Sequence, residues 1–184
     1  MPQSDLGLYF IALIPPEPLR GQMMEVKKRL AETFHTQAAL KSPPHITLHM
    51  PFRLKASKYE ALVQSLEELA QAFSPFSVQL HGYRGFPPRV VYAHVENSPE
   101  LYALFKHLAQ VMRGFQQFQA DYKGRGFTPH LTVAFRDLKP ALYPEALAMV
   151  QQNPLAEHFV AEGFYLLHHD GHQWQMLQHF LFKA

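Results

Sequence analysis

The chain contains two copies of one short pattern whose residue types suit acid–base chemistry at a phosphate. The pattern is proline, histidine, an aliphatic residue and threonine, and it occurs as Pro44-His45-Ile46-Thr47 and as Pro129-His130-Leu131-Thr132. Histidine exchanges a proton near neutral pH, since its unperturbed pKa is about 6.5. A threonine hydroxyl can donate a hydrogen bond to a phosphate oxygen. Two such pairs around one phosphate would supply a base, an acid and two oxygen-binding groups.

The spacing within each copy predicts that both motifs lie on β-strands. Successive side chains of a strand point to opposite faces, so His45 and Thr47 share one face, about 6–7 Å apart along the strand, while Ile46 points to the other. The same alternation places His130 and Thr132 together. A preceding proline donates no hydrogen bond to a neighbouring strand and favours a strand start or an edge. We therefore expect the two polar pairs to meet in one cleft.

The order of predicted elements around the motifs also repeats. A single His-x-Thr on a strand is more often surface decoration, but these two copies start 85 positions apart, close to half of the 184-residue chain. The predicted order is strand, helix, strand, helix and two strands, then helix, strand, helix and two strands. We expect an α+β fold in a single domain over residues 1–184, with two intertwined, pseudo-symmetric lobes. Each lobe should have an antiparallel sheet and flanking helices around a central cleft.

Hydrophobic periodicity and turn signals locate the predicted elements. The strands are expected at 8–14, 45–52, 76–81, 90–96, 130–136, 159–168 and 173–182. The helices are expected at about 18–34, 57–73, 98–112 and 143–151. Residues 82–88 are predicted to form a turn-rich loop. In the first helix the apolar stripe should face the core and Lys27 should point to solvent.

Composition excludes several classes of protein. The chain has no cysteine, which excludes disulfide scaffolds, thiolate zinc sites and cysteine nucleophiles. With 47% hydrophobic and 17% charged residues it is not a disordered chain. A net charge of +2 tolerates an anionic ligand without requiring nucleic acid. No apolar run approaches the ~18 residues of a membrane span, and the start lacks a basic signal region, so we expect a cytoplasmic protein without membrane association.

The motifs and their flanks resemble the 2H phosphoesterase superfamily, specifically its 2′-5′ RNA ligase-like proteins and RNA 2′,3′-cyclic phosphodiesterases. The resemblance covers most of the chain, including the strand Tyr9-Phe10-Ile11-Ala12, the dipeptide Pro51-Phe52, residues 89–95 and residues 127–133. It implies a bilobal α+β fold and hydrolysis, without metal or cofactor, of a 2′,3′-cyclic phosphate on an RNA terminus or nucleotide to the 2′-phosphate. Many relatives carry a basic residue two positions beyond the second threonine, where this chain has Ala134.

The two histidines are expected to act as base and acid, and the two threonines to bind the non-bridging oxygens. We expect His130 to activate water and His45 to protonate the departing 3′-oxygen, although the similarity of the motifs leaves the reverse assignment open. Two other hypotheses use the same residues. One is a 2′-5′ RNA ligase, in which a hydroxyl of a second RNA fragment replaces water. The other is a module that binds nucleotides or RNA ends without turnover. A monomer is expected.

Weaker candidates for substrate contacts are basic or aromatic side chains near the motifs. The basic candidates for a phosphate or an RNA backbone are Lys123, Arg125, Arg136, Arg84 and Arg89. The aromatic candidates for stacking on a base are Phe52, Phe127 and Tyr9, for which core packing is equally expected.

Other histidines are less tied to the motifs. His49 should share the face of His45 and Thr47 if alternation continues. Residues 168–172, His-His-Asp-Gly-His, resemble a metal-binding cluster, but the Asp-Gly pair at their centre is typical of a hairpin turn. We therefore predict no metal site. Asp137 has no neighbour in the sequence that marks it as catalytic.

Overall fold

The structure, a computed structural model, describes residues 6–115 and 126–184. The strands of the described ranges are β1 (Leu6–Leu13), β2 (Ile46–Lys55), β3 (Phe76–Phe86), β4 (Val90–Val95), β5 (His130–Ala134), β6 (Ala156–Ala161), β7 (Gly163–His169) and β8 (Trp174–Leu181). Their helices are α1 (Leu19–Phe34), α2 (Tyr59–Ala70), α3 (Pro99–Gly114) and α4 (Tyr143–Gln151). None of the helices in these ranges combines the length and the apolar character that crossing a membrane requires.

The described strands form one antiparallel sheet in the order β6-β3-β4-β5-β2-β1-β7-β8. The two strands that carry the motifs pair with each other at its centre. Three further strands lie on each side of this pair, so each lobe supplies four strands. The α+β class and the bilobal arrangement are confirmed, with the two lobe sheets joined into one.

The lobes do not correspond to the two halves of the sequence. One lobe contains β1, β2, β7 and β8, and the other contains β3 to β6. Glu162 alone separates β6, at one edge of the sheet, from β7 in the other lobe. In a flat sheet these two strands would lie six spacings apart, about 29 Å. Because one residue spans at most about 3.6 Å, the sheet must curl.

The two faces of the sheet are buried to different extents. One face carries the main core, in which the alternate residues Ile46, Leu48, Leu131 and Val133 of the motif strands are completely buried. Helix α1 packs on β5, and α3 packs on β2. Each of these helices therefore covers the motif strand of the other lobe. The opposite face has a smaller apolar cluster, formed by Phe10, Ala12, Ile14 and Leu167.

Three boundaries differ from the sequence prediction. Strand β3 continues through residues 82–86, where a loop was predicted, and only residues 87–89 form the turn. Gly82 has a φ of 67° and lies at an irregularity in the pairing of β3 with β4, which lets the strand continue beyond it. The predicted strand 159–168 is two strands divided at Glu162. Strand β5 ends at Ala134 rather than at residue 136.

Candidate active site

The register of β2 and β5 brings the two motifs together. Ile46 pairs with Leu131, and in antiparallel pairing the adjacent positions place His45 opposite Thr132 and Thr47 opposite His130. Directly opposite side chains share a face with their Cβ atoms about 4.5–5.5 Å apart. These four side chains, which we call the motif tetrad, therefore lie together on the face opposite the main core. All four are half-buried, so a small anion can reach them.

A backbone carbonyl two residues earlier in the chain fixes the tautomer of each tetrad histidine. The Nδ1 atom of His45 lies 2.8 Å from the carbonyl oxygen of Pro43, and Nδ1 of His130 lies 2.8 Å from that of Thr128. A carbonyl oxygen only accepts, so Nδ1 must carry the hydrogen and donate it. In the neutral ring the lone pair is then on Nε2. The same nitrogen of both rings is thus available for proton transfer to or from a ligand.

Burial keeps both tetrad histidines neutral near pH 7. Burial, with smaller contributions from the positive charges of Lys27 and His130, lowers the pKa of His45 to about 3, although the Pro43 carbonyl opposes this. Burial also lowers the pKa of His130, and the Thr128 carbonyl opposes it. A negative phosphate between the rings would favour their charged forms. Proton uptake at this site is therefore linked to anion binding.

An aromatic ring from the neighbouring strand packs beside each tetrad histidine. The ring centroids of Phe10 and His45 are 4.8 Å apart, with an interplanar angle of 53°. Those of Tyr92 and His130 are 5.0 Å apart, with an angle of 55°. Phe10 is on β1 and Tyr92 is on β4, which flank the motif strands symmetrically. The pseudo-twofold relation of the lobes thus extends beyond the motifs.

A second aromatic ring follows on each side. Trp174 meets Phe10 edge to face at 4.6 Å between centroids. Phe86 lies 4.6 Å from Tyr92 and makes an edge contact of 5.3 Å with His130. Phe86 is 40% exposed, which is high for a large apolar side chain beside a polar site. These aromatic pairs line the cleft on both sides of the tetrad.

A buried lysine holds the segment that precedes His45. Lys27 is 1% exposed, and its Nζ donates to the carbonyl oxygens of Ala39 and Ser42, each at 3.0 Å. The prediction that Lys27 points to solvent is wrong. Lys27 lies four residues after Met23 and three before Leu30, on the buried stripe of α1.

A carboxylate at the end of β5 holds the beginning of the same segment. Asp137 accepts hydrogen bonds from Thr36 Oγ1 at 2.6 Å, from the Gln37 amide at 2.7 Å and from the Ala38 amide at 3.0 Å. Asp137 follows the strand of His130, whereas residues 36–44 lead into His45. This carboxylate therefore links the two motifs structurally and does not contact the tetrad face through any of these bonds.

The predicted aromatic candidates lie on the main-core face, away from the tetrad. Tyr9 pairs with Phe52 across β1 and β2, and Tyr9 also contacts Tyr59. Phe127 stacks on Phe105 of α3, with centroids 4.0 Å apart. Tyr9, Phe52 and Phe127 therefore occupy the positions of packing residues, the alternative that was expected for all three.

His49 is also on the main-core face, contrary to the prediction from alternation. In the pairing with β1, Thr47 is opposite Ala12 and His49 is opposite Ile11, so the register shifts between them. The extra residue of this bulge reverses the alternation. His49 is 2% exposed and meets the ring of Phe52 edge to face at 5.2 Å.

The basic candidates are placed differently from one another. Arg136 does not continue the strand, because it has a left-handed φ of 61° after β5 has ended, and its guanidinium lies over the Phe135 ring. Arg89 donates to the Arg136 carbonyl oxygen at 3.1 Å. Arg84 pairs with Tyr92 and so lies on the tetrad face. Lys123 and Arg125 lie outside the described residues.

The histidine-rich segment before β8 forms the predicted hairpin turn. The Asp170 carboxylate accepts from the amides of His172 and Gln173, both at 2.8 Å, and Gly171 has a φ of 102°. Across residues 6–115 and 126–184, no three His, Asp or Glu side chains are grouped so that they could hold a metal ion.

Sequence reasoning missed Phe10, Trp174, Tyr92 and His94 on the tetrad face. A signal was present for Phe10, because residues 8–14 are apolar at every position and so must be buried on both faces. For β4 the signal was absent, since its pairing with β5 depends on residues far apart in the chain.

A model of one protein family matches most of the chain. The family is described as the 2′-5′ RNA ligase superfamily, and the match covers residues 15–173, including both motifs. A Bacillus licheniformis protein with the name "Putative phosphoesterase" is 26% identical over 179 residues, which are 96% of this chain and 99% of the relative. A Bacillus cytotoxicus protein of the same description is 29% identical over 160 residues, 86% of each chain.

Solved structures share the fold. The protein TT0787 of Thermus thermophilus has a TM-score of 0.71 and 20% identity, covering 96% of this chain and 98% of its own. Escherichia coli LigT complexed with 3′-AMP has a TM-score of 0.71 and 21% identity, covering 97% and 99%. The same LigT has also been solved with NADP+, with ATP and with phosphate.

Proposed function

The chain belongs to the 2′-5′ RNA ligase superfamily, and from this premise we propose that it is a phosphoesterase that hydrolyses 2′,3′-cyclic phosphates. The substrate would be an RNA end or a nucleotide, and the product its 2′-phosphate. The observation that carries this proposal is the motif tetrad, in which two imidazoles with available Nε2 atoms alternate with two hydroxyls.

The tetrad can bind a phosphate and hold its reacting bonds in line. Thr47 and Thr132 lie diagonally across the tetrad and would donate to the two non-bridging oxygens. His45 and His130 occupy the other diagonal, on opposite sides of the phosphorus. Displacement at phosphorus requires a base at the entering oxygen and an acid at the leaving oxygen, and these positions supply both.

The surroundings of the two histidines favour His45 as the base and His130 as the acid. The charge of Lys27 lowers the pKa of His45, whereas the causes that shift the pKa of His130 are burial and the Thr128 carbonyl. Repulsion between the two charged rings opposes a second proton on the pair. A single proton in the pair therefore resides preferentially on His130. This is the reverse of the assignment expected from the sequence, in which nothing distinguished the two rings.

The proposed step balances with one water and no cofactor. Nε2 of His45 removes a proton from water as the water oxygen bonds to phosphorus. The bond from phosphorus to the 3′-oxygen breaks, and Nε2 of His130 gives its proton to that oxygen. The product has a 2′-phosphomonoester and a 3′-hydroxyl. Proton exchange with solvent then restores both histidines.

Single alanine variants of the two histidines test this function. His45→Ala and His130→Ala should each reduce turnover of adenosine 2′,3′-cyclic phosphate by about 10²–10⁴-fold. Phosphorus NMR should show the 2′-phosphate as the product of the unchanged protein. His107→Ala, which alters an exposed histidine of α3, is the matched control and should keep full turnover. Full turnover in both active-site variants would refute the mechanism.

The family match also favours ligation as a second activity of the same site. The 5′-hydroxyl of a second RNA, in the place of water, would bond to phosphorus as the bond to the 3′-oxygen breaks, forming a 2′-5′ phosphodiester with the same base and acid. Incubation with one RNA fragment bearing a cyclic phosphate and another bearing the accepting hydroxyl separates the activities by product. Binding of cyclic nucleotides with neither product would indicate a binding module instead.

A further inference from the structure

The tetrad face continues onto β4 and β3 beside His130. His94 of β4 pairs directly with His130, and Tyr92 pairs with Thr132. Arg84 of β3 in turn pairs with Tyr92. Because directly opposite residues share a face, His94, Tyr92 and Arg84 all lie on the side of the sheet that carries the tetrad.

Arg84 provides a positive charge in this part of the cleft. Its side chain is exposed, and it forms no salt bridge with any residue that the structure describes. An arginine presents a planar set of N–H donors that matches two oxygens of a phosphate. The guanidinium on this face is therefore available to a second anionic group.

His94 adds a donor whose tautomer is opposite to that of the tetrad histidines. Its Nδ1 is buried and has no hydrogen-bond partner among the described residues. A hydrogen on Nδ1 would be left without an acceptor, so the neutral ring carries its hydrogen on Nε2, on the half-exposed side. His94 is thus a hydrogen-bond donor toward the cleft, whereas His45 and His130 offer lone pairs.

The register makes Arg84 and His94 diagonal neighbours across β3 and β4, so the charge of Arg84 acts on the His94 ring. Burial lowers the pKa of His94, the charges of Arg84 and His81 lower it further, and Glu96 raises it. The charge of Arg84 also acts on Tyr92, opposing the increase in the pKa of that phenol caused by burial. Arg84, Tyr92 and His94 therefore form a compact patch next to the tetrad, which we call the β3–β4 patch.

We propose that the β3–β4 patch binds a second phosphate, the one on the 5′-oxygen of the nucleoside whose cyclic phosphate occupies the tetrad. Strand β3 is two strand spacings from β5, about 10 Å, which the ribose of one nucleotide and the long arginine side chain can span together. The inference rests on the proposed function for the identity of the first phosphate. It assigns the substrate class. The substrate is either a free nucleotide that carries a 5′-phosphate or an RNA 3′ end, in which the phosphate on that 5′-oxygen is the last internucleotide link.

Binding of product-like nucleotides tests the patch without requiring turnover. Adenosine 2′,5′-bisphosphate should bind about 10–100-fold more tightly than adenosine 2′-phosphate, as expected for hydrogen bonds to a charged group. Calorimetry with Arg84→Gln should show most of that difference lost, and Arg84→Lys should retain part of it. Arg89→Gln, at the same hairpin, is the matched control and should keep the full difference.

The proposal would be overturned if the unchanged protein bound the two nucleotides with equal affinity. It would also be overturned if Arg84→Gln kept the whole affinity difference between the bisphosphate and the 2′-phosphate. A dinucleotide with a terminal 2′-phosphate identifies the source of the 5′-phosphate. If the dinucleotide binds more tightly than adenosine 2′-phosphate by the same factor as the bisphosphate, the natural substrate is an RNA end. If it binds no more tightly than adenosine 2′-phosphate, the substrate is a free nucleotide. A retained bisphosphate preference in a protein that hydrolyses no cyclic phosphate would refute the proposed function but not the patch.

Discussion

The two walls of the cleft differ in chemistry, although the motifs between them are nearly identical. On the β1–β7–β8 side the part of the wall beside His45 is apolar, with Phe10 and Leu167 buried and Trp174 packed against Phe10. On the β3–β4 side the aromatic rings of Tyr92 and Phe86 are joined by the polar groups of Arg84 and His94. The pseudo-symmetric strands determine where the reacting groups lie. The asymmetric walls would determine in which direction a nucleotide binds, with its base on one side and its 5′-phosphate on the other.

The two tetrad histidines also differ in the residues that lie behind them. Each ring has an aromatic neighbour and a backbone acceptor in equivalent positions. The charge of Lys27, however, acts on His45, and the Asp137 and Lys27 hydrogen bonds both hold the segment before His45. Duplicated motifs can therefore have different roles because the residues behind them differ.

The largest expected effect separates the acid from the base. With a cyclic phosphate, whose 3′-oxygen is a poor leaving group, His45→Ala and His130→Ala should both lose about 10²–10⁴-fold in rate. With an aryl phosphodiester that releases nitrophenolate, protonation of the leaving group is unnecessary, so His130→Ala should lose less than about tenfold. His45→Ala should remain strongly impaired with both substrates. Rates from the two substrates with each variant provide the measurement.

If the aryl substrate restores turnover in His45→Ala instead of His130→Ala, then His45 is the acid and His130 is the base. Equal impairment of both variants with the aryl substrate would show that the two rings are not divided into an acid and a base.

The next effect concerns the apolar wall. Trp174→Ala should weaken adenosine 2′-phosphate binding by about 10–100-fold, because stacking on a base contributes roughly 1–3 kcal/mol. The gain from adding a 5′-phosphate should stay the same, since it arises on the other wall. Tyr102→Ala, an exposed aromatic of α3, is the control. Calorimetry with a ribose 2-phosphate that lacks a base should show no difference between Trp174→Ala and the unchanged protein.

Alternation along single strands was enough to predict that the histidine and threonine of each motif share a face. Ile46 and Leu131 are buried in the main core, and the histidines and threonines beside them share the other face, as period two requires. The α+β class followed from the order of predicted elements. That the two polar pairs meet in one cleft was inferred from the repeat, whereas the direct pairing of β2 with β5 was not predicted, because no local rule states which distant strands are neighbours.

The errors occurred where tertiary structure changes a local pattern. His49 left the tetrad face because a bulge inserts one residue, and the pairing partner that creates the bulge is on β1. Arg84 was among the candidates, but the part of β3 that carries it was predicted to be a loop because of its glycines and the prolines that follow. Lys27 was assigned to solvent by residue type, although its spacing from Met23 and Leu30 placed it on the buried stripe. For Lys27 the spacing was the better guide.

The smallest expected effect tests Lys27 as a positioning residue. Lys27→Met removes the donor to two carbonyl oxygens and should lower kcat by about tenfold, since an unsatisfied buried acceptor costs roughly 1–3 kcal/mol and loosens the segment before His45. Lys28→Met, which removes an exposed lysine paired with Glu25, is the control and should leave kcat unchanged. Thermal melting verifies that both variants are folded.

A second readout distinguishes positioning and electrostatics from a general loss of stability. The charge of Lys27 lowers the pKa of His45, so its removal should raise that pKa. Because the base must be neutral, the acidic limb of the kcat/KM profile should then move to higher pH. Lys27→Gln keeps a donor but no charge, and it should recover part of kcat while retaining the raised pKa. Histidine NMR titrations of the unchanged protein, Lys27→Met and Lys27→Gln measure the pKa of His45 directly. An unchanged His45 pKa in Lys27→Met would show that Lys27 does not cause the difference between the two motif histidines.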